Sequence, residues 1–232
     1  MLWDVSTIRN YEIEASDGSI GSLSDILCDD ATWKVRWLVV DTGTFLPGRK
    51  VLVPPSLVTS LDRELGKVSV KLDKASIEAS PPITSDEPVS RQMEDRLSVH
   101  FGWTPYWDND LNGSQAPSLD NASSHLRSLD TMRGYQIRAT DGAIGSAADF
   151  LLNDNDWSIR YLVVDTGTWW PGQKVLIAPQ SIGSISSADE AINLLVDQAK
   201  VKSSPANSQA MTVDGKYEEK FLTYYGIRWL EG

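Results

Sequence analysis

The chain has one cysteine, Cys28, and two histidines, His100 and His125, in 232 residues. A single cysteine excludes an internal disulfide framework. Two histidines so far apart, with no cysteine beside them, provide neither a zinc ligand set nor a Ser-His-Asp apparatus. Basic charge is also scarce. Against 32 Asp and Glu there are 21 Lys and Arg, a formal charge of −11, which disfavours nucleic acid because binding its backbone draws on counterion release by a basic surface. No apolar run approaches the ~20 residues that span a bilayer, and Met1-Leu2-Trp3-Asp4 lacks the basic start and apolar stretch of a signal peptide. The expectation is a cytoplasmic chain with no membrane insertion, metal or cofactor.

What the chain does have, it has twice. Residues 9–55 and 133–179 align without a gap at an offset of 124, with 27 of 47 positions identical. The longest shared blocks are Leu38-Val39-Val40-Asp41-Thr42-Gly43-Thr44 with Leu162 to Thr168, and Pro47-Gly48-x-Lys50-Val51-Leu52 with Pro171 to Leu176. The offset persists to Ser80/Ser204 and Gly102/Gly226, so the repeated unit is a whole domain. The stretch 108–124, rich in Asp, Asn, Ser and Gly, has the composition of a linker, which sets the expected domains at 1–107 and 125–232.

In each copy Tyr11, Ile13 and Ala15 (Tyr135, Ile137 and Ala139) alternate with polar residues, the period of a half-buried strand. Asp17-Gly18 and Asp141-Gly142 then supply a hairpin turn. A second strand is expected through Ile20 to Leu27, with Gly21 and Gly145 marking a bulge or a close backbone approach. A third runs from about Trp33 to Val40, and Lys50–Val53 and Lys67–Leu72 follow. Five or six short strands within 85 residues predict a small antiparallel β-barrel. Afterwards the period changes: Val89, Met93, Leu97 and His100 or Phe101 share one helical face, as do Val213, Tyr217, Phe221 and Tyr224 or Tyr225. The predicted fold is therefore mainly β, two tandem small barrels each followed by a short amphipathic helix. Gly102 and Gly226 fit helix stops. Cys28 aligns with Leu152, which predicts a small buried side chain.

The repeated Asp-Gly-x-Ile-Gly-Ser-x-x-Asp, the Leu-Val-Val-Asp strand and Val51-Leu52-Val53-Pro54-Pro55 resemble the PRC-barrel family, named for the cytoplasmic domain of the photosynthetic reaction-centre H subunit. The resemblance covers residues 1–80 and 125–204, and the stretch from Pro88 to Trp107 looks like the tail of stand-alone bacterial members. It implies a protein-contact or assembly scaffold and no catalytic residue. It also carries a weaker alternative, an accessory factor of a photosynthetic or other membrane complex.

Other motifs fail where their chemistry would need them. Gly43 to Lys50 resembles a phosphate-binding loop, but Lys comes one position late and the following Val51-Leu52-Val53 reads as a strand instead of a helix. Asp108 to Gly113 resembles half of a calcium loop, but Leu119 stands where a bidentate Glu is required. The repeated Asp25/Asp149 reads as strand-end hydrogen bonding. Trp33 and Trp157 are read as packing residues.

The candidate binding residues are aromatic. Phe45-Leu46 and Trp169-Trp170 lie between turn residues, where large apolar side chains either fold over the barrel or insert into a partner. Trp103, Tyr106 and Trp107 pose the same choice. The leading expectation is a non-enzymatic binding or assembly module whose partner is another protein, with intramolecular barrel–barrel pairing and room for a homodimer. The alternative is a small-ligand sensor or enzyme with a site at the barrel junction, for which Asp41, Lys50, Asp165 and Lys174 are the polar candidates.

Overall fold

A computed structural model describes residues 1–81, 83, 96–100, 102, 126–168, 170–203 and 223–224. Its strands in chain order are β1 (Leu2–Asp4), β2 (Glu12–Ala15), β3 (Gly18–Asp29), β4 (Val35–Asp41), β5 (Lys50–Val53), β6 (Val58–Asp62), β7 (Lys67–Val70), β8 (Leu126–Ser128), β9 (Gln136–Ala139), β10 (Gly142–Asn153), β11 (Ser158–Asp165), β12 (Lys174–Ile177), β13 (Ile182–Ser186) and β14 (Ala191–Leu194). They form two seven-stranded sheets. One has the order β5-β4-β3-β2-β7-β6 with β8 added to β3; the other has β12-β11-β10-β9-β14-β13 with β1 added to β10. The fold is mainly β, as the alternation predicts.

One pair in each sheet departs from the antiparallel expectation: β2 with β7 and β9 with β14 run parallel. The reason is connectivity. These partners are not hairpin neighbours, since β3 to β6 (or β10 to β13) intervene between them, and a strand returning by a crossover can arrive in either sense.

The chain divides into two compact units, Thr7–Leu129 and Asp130–Gly232 together with Met1–Ser6. These limits do not follow the repeat. Sequence places residues 1–6 in the first copy and 125–129 in the second, yet β1 lies in the sheet of the second unit and β8 in that of the first. The physical cause is the length of β3 and β10, twelve residues each. On one edge, β2 pairs only as far as Gly18 to Ser22 of β3, so Leu27 to Asp29 keep free backbone groups there, and β8 takes them at Leu27↔Ser128, Cys28↔Arg127 and Asp29↔Leu126. Exposed edge groups of this kind are templates for another strand. The expected linker 108–124 lies outside the described residues.

Burial explains the apolar run Leu38-Val39-Val40. Successive side chains of a strand point to opposite faces. Leu38 and Val40 are buried with Ile13, Leu23, Val51 and Val68, while Trp37 and Val39 cluster with Leu52, Leu97 and Leu126. Both faces are covered, which is why the strand reads as continuous instead of alternating. In the second unit Leu151, Tyr161, Val163, Leu176 and Ala178 form the corresponding cluster, and Leu2 packs on it. Leu97 lies in the helical stretch 96–100, and Gly102 closes it at φ 69°, its N–H donating to the Val99 carbonyl at 3.3 Å. The rest of both expected helical faces, apart from His100 and Tyr224, lies outside the described residues.

Gly21 is a close approach, as expected. At φ 138° it sits where β3 crosses β4, and a Cβ there would collide with the Asp41 carbonyl oxygen; Gly145 meets Asp165 in the same way. The third strand, however, starts at Val35, not at Trp33. Asp29 Oδ1 accepts the Ala31 and Thr32 N–H groups at 2.9 and 3.1 Å, and the turn they form leaves Trp33 in the left-handed region at φ 56°. Trp157 repeats this at φ 52°. Such a conformation costs on the order of 1 kcal/mol for a non-glycine residue, and burial of the Trp33 indole, 7% exposed, offsets it. Strand β6 and the short β1 and β8 were not predicted; β6 reads Val-Thr-Ser-Leu-Asp with no buried residue, so it lacks the apolar alternation that marks a strand.

Candidate protein-interaction site

The loops after β4 and β11 have one architecture. Asp41 ends β4, and its Oδ1 accepts the Gly43 N–H at 2.9 Å. Thr42, 1% exposed, turns its hydroxyl inward to lie 2.7 Å from the Leu46 carbonyl and 2.7 Å from that of Arg49. One proton is shared between two carbonyls at the base of the loop, each of which also accepts a backbone N–H, Leu46 from Arg49 and Arg49 from Thr42. Backbone bonds from Phe45 to Thr42 and from Arg49 to Leu46 complete it. In the second unit Asp165 caps Gly167, and the Thr166 hydroxyl bridges the Trp170 and Gln173 carbonyls at 2.6 and 2.7 Å. Sequence divergence within the loop leaves this tether unchanged.

The tether decides what the loop displays. Phe45 and Leu46 are half-buried, between Thr44 and Pro47 that are exposed, and the Lys74 ammonium lies 5.7 Å from the Phe45 ring centroid. Trp170 is likewise half-buried. These side chains are neither core nor freely solvated. Trp169, Trp103, Tyr106 and Trp107 lie outside the described residues.

Asp41 and Lys50 are cross-strand neighbours in the β4·β5 ladder, as are Asp165 and Lys174 in β11·β12. Each aspartate serves its own loop as a cap. Lys50 opens a strand, which is the departure from a phosphate-binding loop that its sequence predicts.

A second surface was not singled out in the sequence. β1 pairs with β10 through Leu2↔Asn153, Trp3↔Leu152 and Asp4↔Leu151. Asp149, 7% exposed, accepts the Ser6 N–H at 3.1 Å on Oδ1 and the Ser6 hydroxyl on Oδ2. Asp154 accepts the Trp3 indole N–H at 2.8 Å, and the Met1 amino group ion-pairs with it. Burial pushes the Asp154 carboxyl up, but these donors outweigh it and hold the group below its ordinary value. In the first unit Asp25 accepts the Ser128 hydroxyl at 2.6 Å, and Arg127 pairs with Asp30 at 2.7 Å. The repeated Asp25/Asp149 thus receives the segment that opens the other copy. A signal existed: Leu2 and Leu126 keep the 124-residue offset upstream of the aligned block.

Cys28 is fully buried, and burial first, then the nearby aspartates, pushes its thiol up. Beside the helix Lys74–Ala79 lies an open cavity of about 510 Å³, where His100 Nε2 is 3.1 Å from the Ser76 carbonyl oxygen. In the second unit Tyr224 and Lys200 hold the aligned positions, with the Lys200 ammonium 3.9 Å from the ring centroid and bonded to the Tyr224 carbonyl. Among the described residues no group of three or more His, Cys, Asp or Glu could hold a metal ion, and no helix is long and apolar enough to cross a membrane.

The recurring acids of both sheets bind backbone and hydroxyl groups, and the loops after β4 and β11 carry half-buried apolar side chains, which together describe a β-scaffold domain. Residues 4–77 match the PRC-barrel domain family, and the chain carries a PRC-barrel domain there. That family is generally non-catalytic, and at a coarse level it marks an interaction or assembly module. No curated protein matches the chain.

Proposed function

We propose that this chain is a non-enzymatic, cytoplasmic protein-binding module, and that its loops Thr42–Arg49 and Thr166–Gln173 are the contact surface for another protein. The observation that carries the reading is the buried threonine tether, repeated in both units around different apolar residues. A loop whose base is fixed loses little entropy on binding, and half-buried Phe, Leu and Trp are the side chains that commonly anchor an interface. Phe45-Leu46 in one copy and Trp169-Trp170 in the other fit a scaffold whose two loops prefer different targets.

The test is affinity capture from host lysate with Phe45→Ala/Leu46→Ala, Trp169→Ala/Trp170→Ala and the wild-type chain, each checked for retained β-sheet signal and cooperative melting. A protein retained by wild type and lost in one folded variant supports the reading and assigns a loop to it. Identical capture by all three chains would refute it.

A further inference from the structure

We propose that the seat along β10 also accepts residues Met1–Ser6 of a second copy of this chain, so that two copies exchange these segments and form a reciprocal dimer. This goes beyond the loop reading and uses a different surface.

The seat is a built one. It offers a three-residue backbone ladder at Leu151 to Asn153, an apolar cluster that takes Leu2, and two carboxylates, Asp149 for Ser6 and Asp154 for Trp3. The donor, in contrast, belongs by chain order to the other unit: it continues directly into Thr7–Leu129, and the PRC-barrel match begins within it at residue 4. Ser6 and Thr7, on either side of that junction, are exposed, and the helical turn Val5–Ile8 across it has only four residues, too few to hold the junction by its own stability.

Leaving the seat vacant would expose the edge of β10 and uncover the apolar cluster beneath Leu2, an arrangement that recruits another strand. None of its contacts distinguishes the chain's own segment from that of another copy. The closed chain and the exchanged dimer make the same strand contacts, so what separates them is the junction and the concentration of competing copies, the condition under which exchange of identical elements yields dimers. Because each copy gives one segment and receives one, two copies that exchange reciprocally fill both seats and leave no segment free.

The test uses two full-length variants, Leu2→Cys and Asn153→Cys, whose altered residues are Cα partners across β1 and β10. They are mixed near ~1 mM, the scale of effective concentration set by a short tether, then diluted, oxidised and resolved by mass spectrometry without reductant. The expected result is a mixed dimer, one Leu2→Cys chain joined to one Asn153→Cys chain through the two introduced thiols, several-fold above either self-disulfide and with a yield that rises with concentration during mixing. Adding Phe45→Ala/Leu46→Ala to both chains leaves that yield unchanged, which separates this surface from the loops. A control chain carries both Leu2→Cys and Asn153→Cys. Equal mixed and self-disulfides, or no mixed dimer while the control closes its bond within one chain, overturns the proposal. Failure of the control to close overturns the seat and the exchange with it.

Discussion

Replacing Asp149 with Ala should release β1 more than it loosens the rest of the second unit. The carboxylate makes two bonds to the incoming segment, from the Ser6 N–H and the Ser6 hydroxyl, and a third to its own neighbour, the Phe150 N–H at 2.8 Å. Hydrogen bonds to a charged group contribute roughly 1.5–3 kcal/mol each. The ladder to Leu151 to Asn153 and the packing of Leu2 persist in the variant, so the net loss in local opening free energy is about 2–3 kcal/mol. At about 1.4 kcal/mol per factor of ten, amide exchange at residues 2–6 should quicken about 30- to 140-fold. Native-state hydrogen exchange read by mass spectrometry resolves this, with a peptide spanning β12 to β14 as the internal reference. If residues 2–6 lose no more protection than the reference, Asp149 is only a core residue and the seat argument fails. The counterpart Asp25→Ala removes the bond from the Ser128 hydroxyl and should likewise quicken exchange at residues 126–128.

Thr166→Val keeps shape but removes the hydroxyl between two loop carbonyls, and should cost about 1–2 kcal/mol in denaturant unfolding; a loss below about 0.3 kcal/mol would show that water replaces the tether. Gly21→Ala forces a Cβ against the Asp41 carbonyl at φ 138°, and should destabilise by more than about 2 kcal/mol with a lower thermal midpoint; an unchanged midpoint would deny the close approach. Asp154 is held below its ordinary value of 3.8 in the folded chain. Its contribution is therefore complete above that value and lost as pH falls through it toward the lower folded value. The Trp3 indole N–H resonance should keep its position down to the mild acid range and shift only below it, whereas a shift centred above about 4.3, the ordinary range of Glu, would assign the titration to another group.

The repeat, the Asp17-Gly18 hairpin, the close approach at Gly21 and the strand buried on both faces at Leu38-Val39-Val40 were all legible in the sequence. Each rests on local chemistry: a turn dipeptide, a residue without Cβ, an apolar run too long for an edge. The loops after β4 and β11 were legible in outline, because Thr-Gly and Pro-Gly bracket the large apolar pair in each. That Thr42 and Thr166 are buried tethers was not, since an inward hydroxyl depends on which carbonyls the folded loop brings to it. Trp33 was misplaced for a related reason: its left-handed backbone follows from the Asp29 turn, and a β-prone residue beside a strand gives no sign of it.

The amino-acid order by itself determined that there would be two similar β units and where their hairpins turn, because those features are settled within a few residues of chain. Only the tertiary structure decided where the units divide. β1 and β8 are three residues each, too short to show a period. Their place is set by free edge groups on β3 and β10 and by Asp25 and Asp149, partners 103 and 143 positions away from Ser128 and Ser6. Pairing over such a distance is a property of two surfaces that exist only once both sheets have formed.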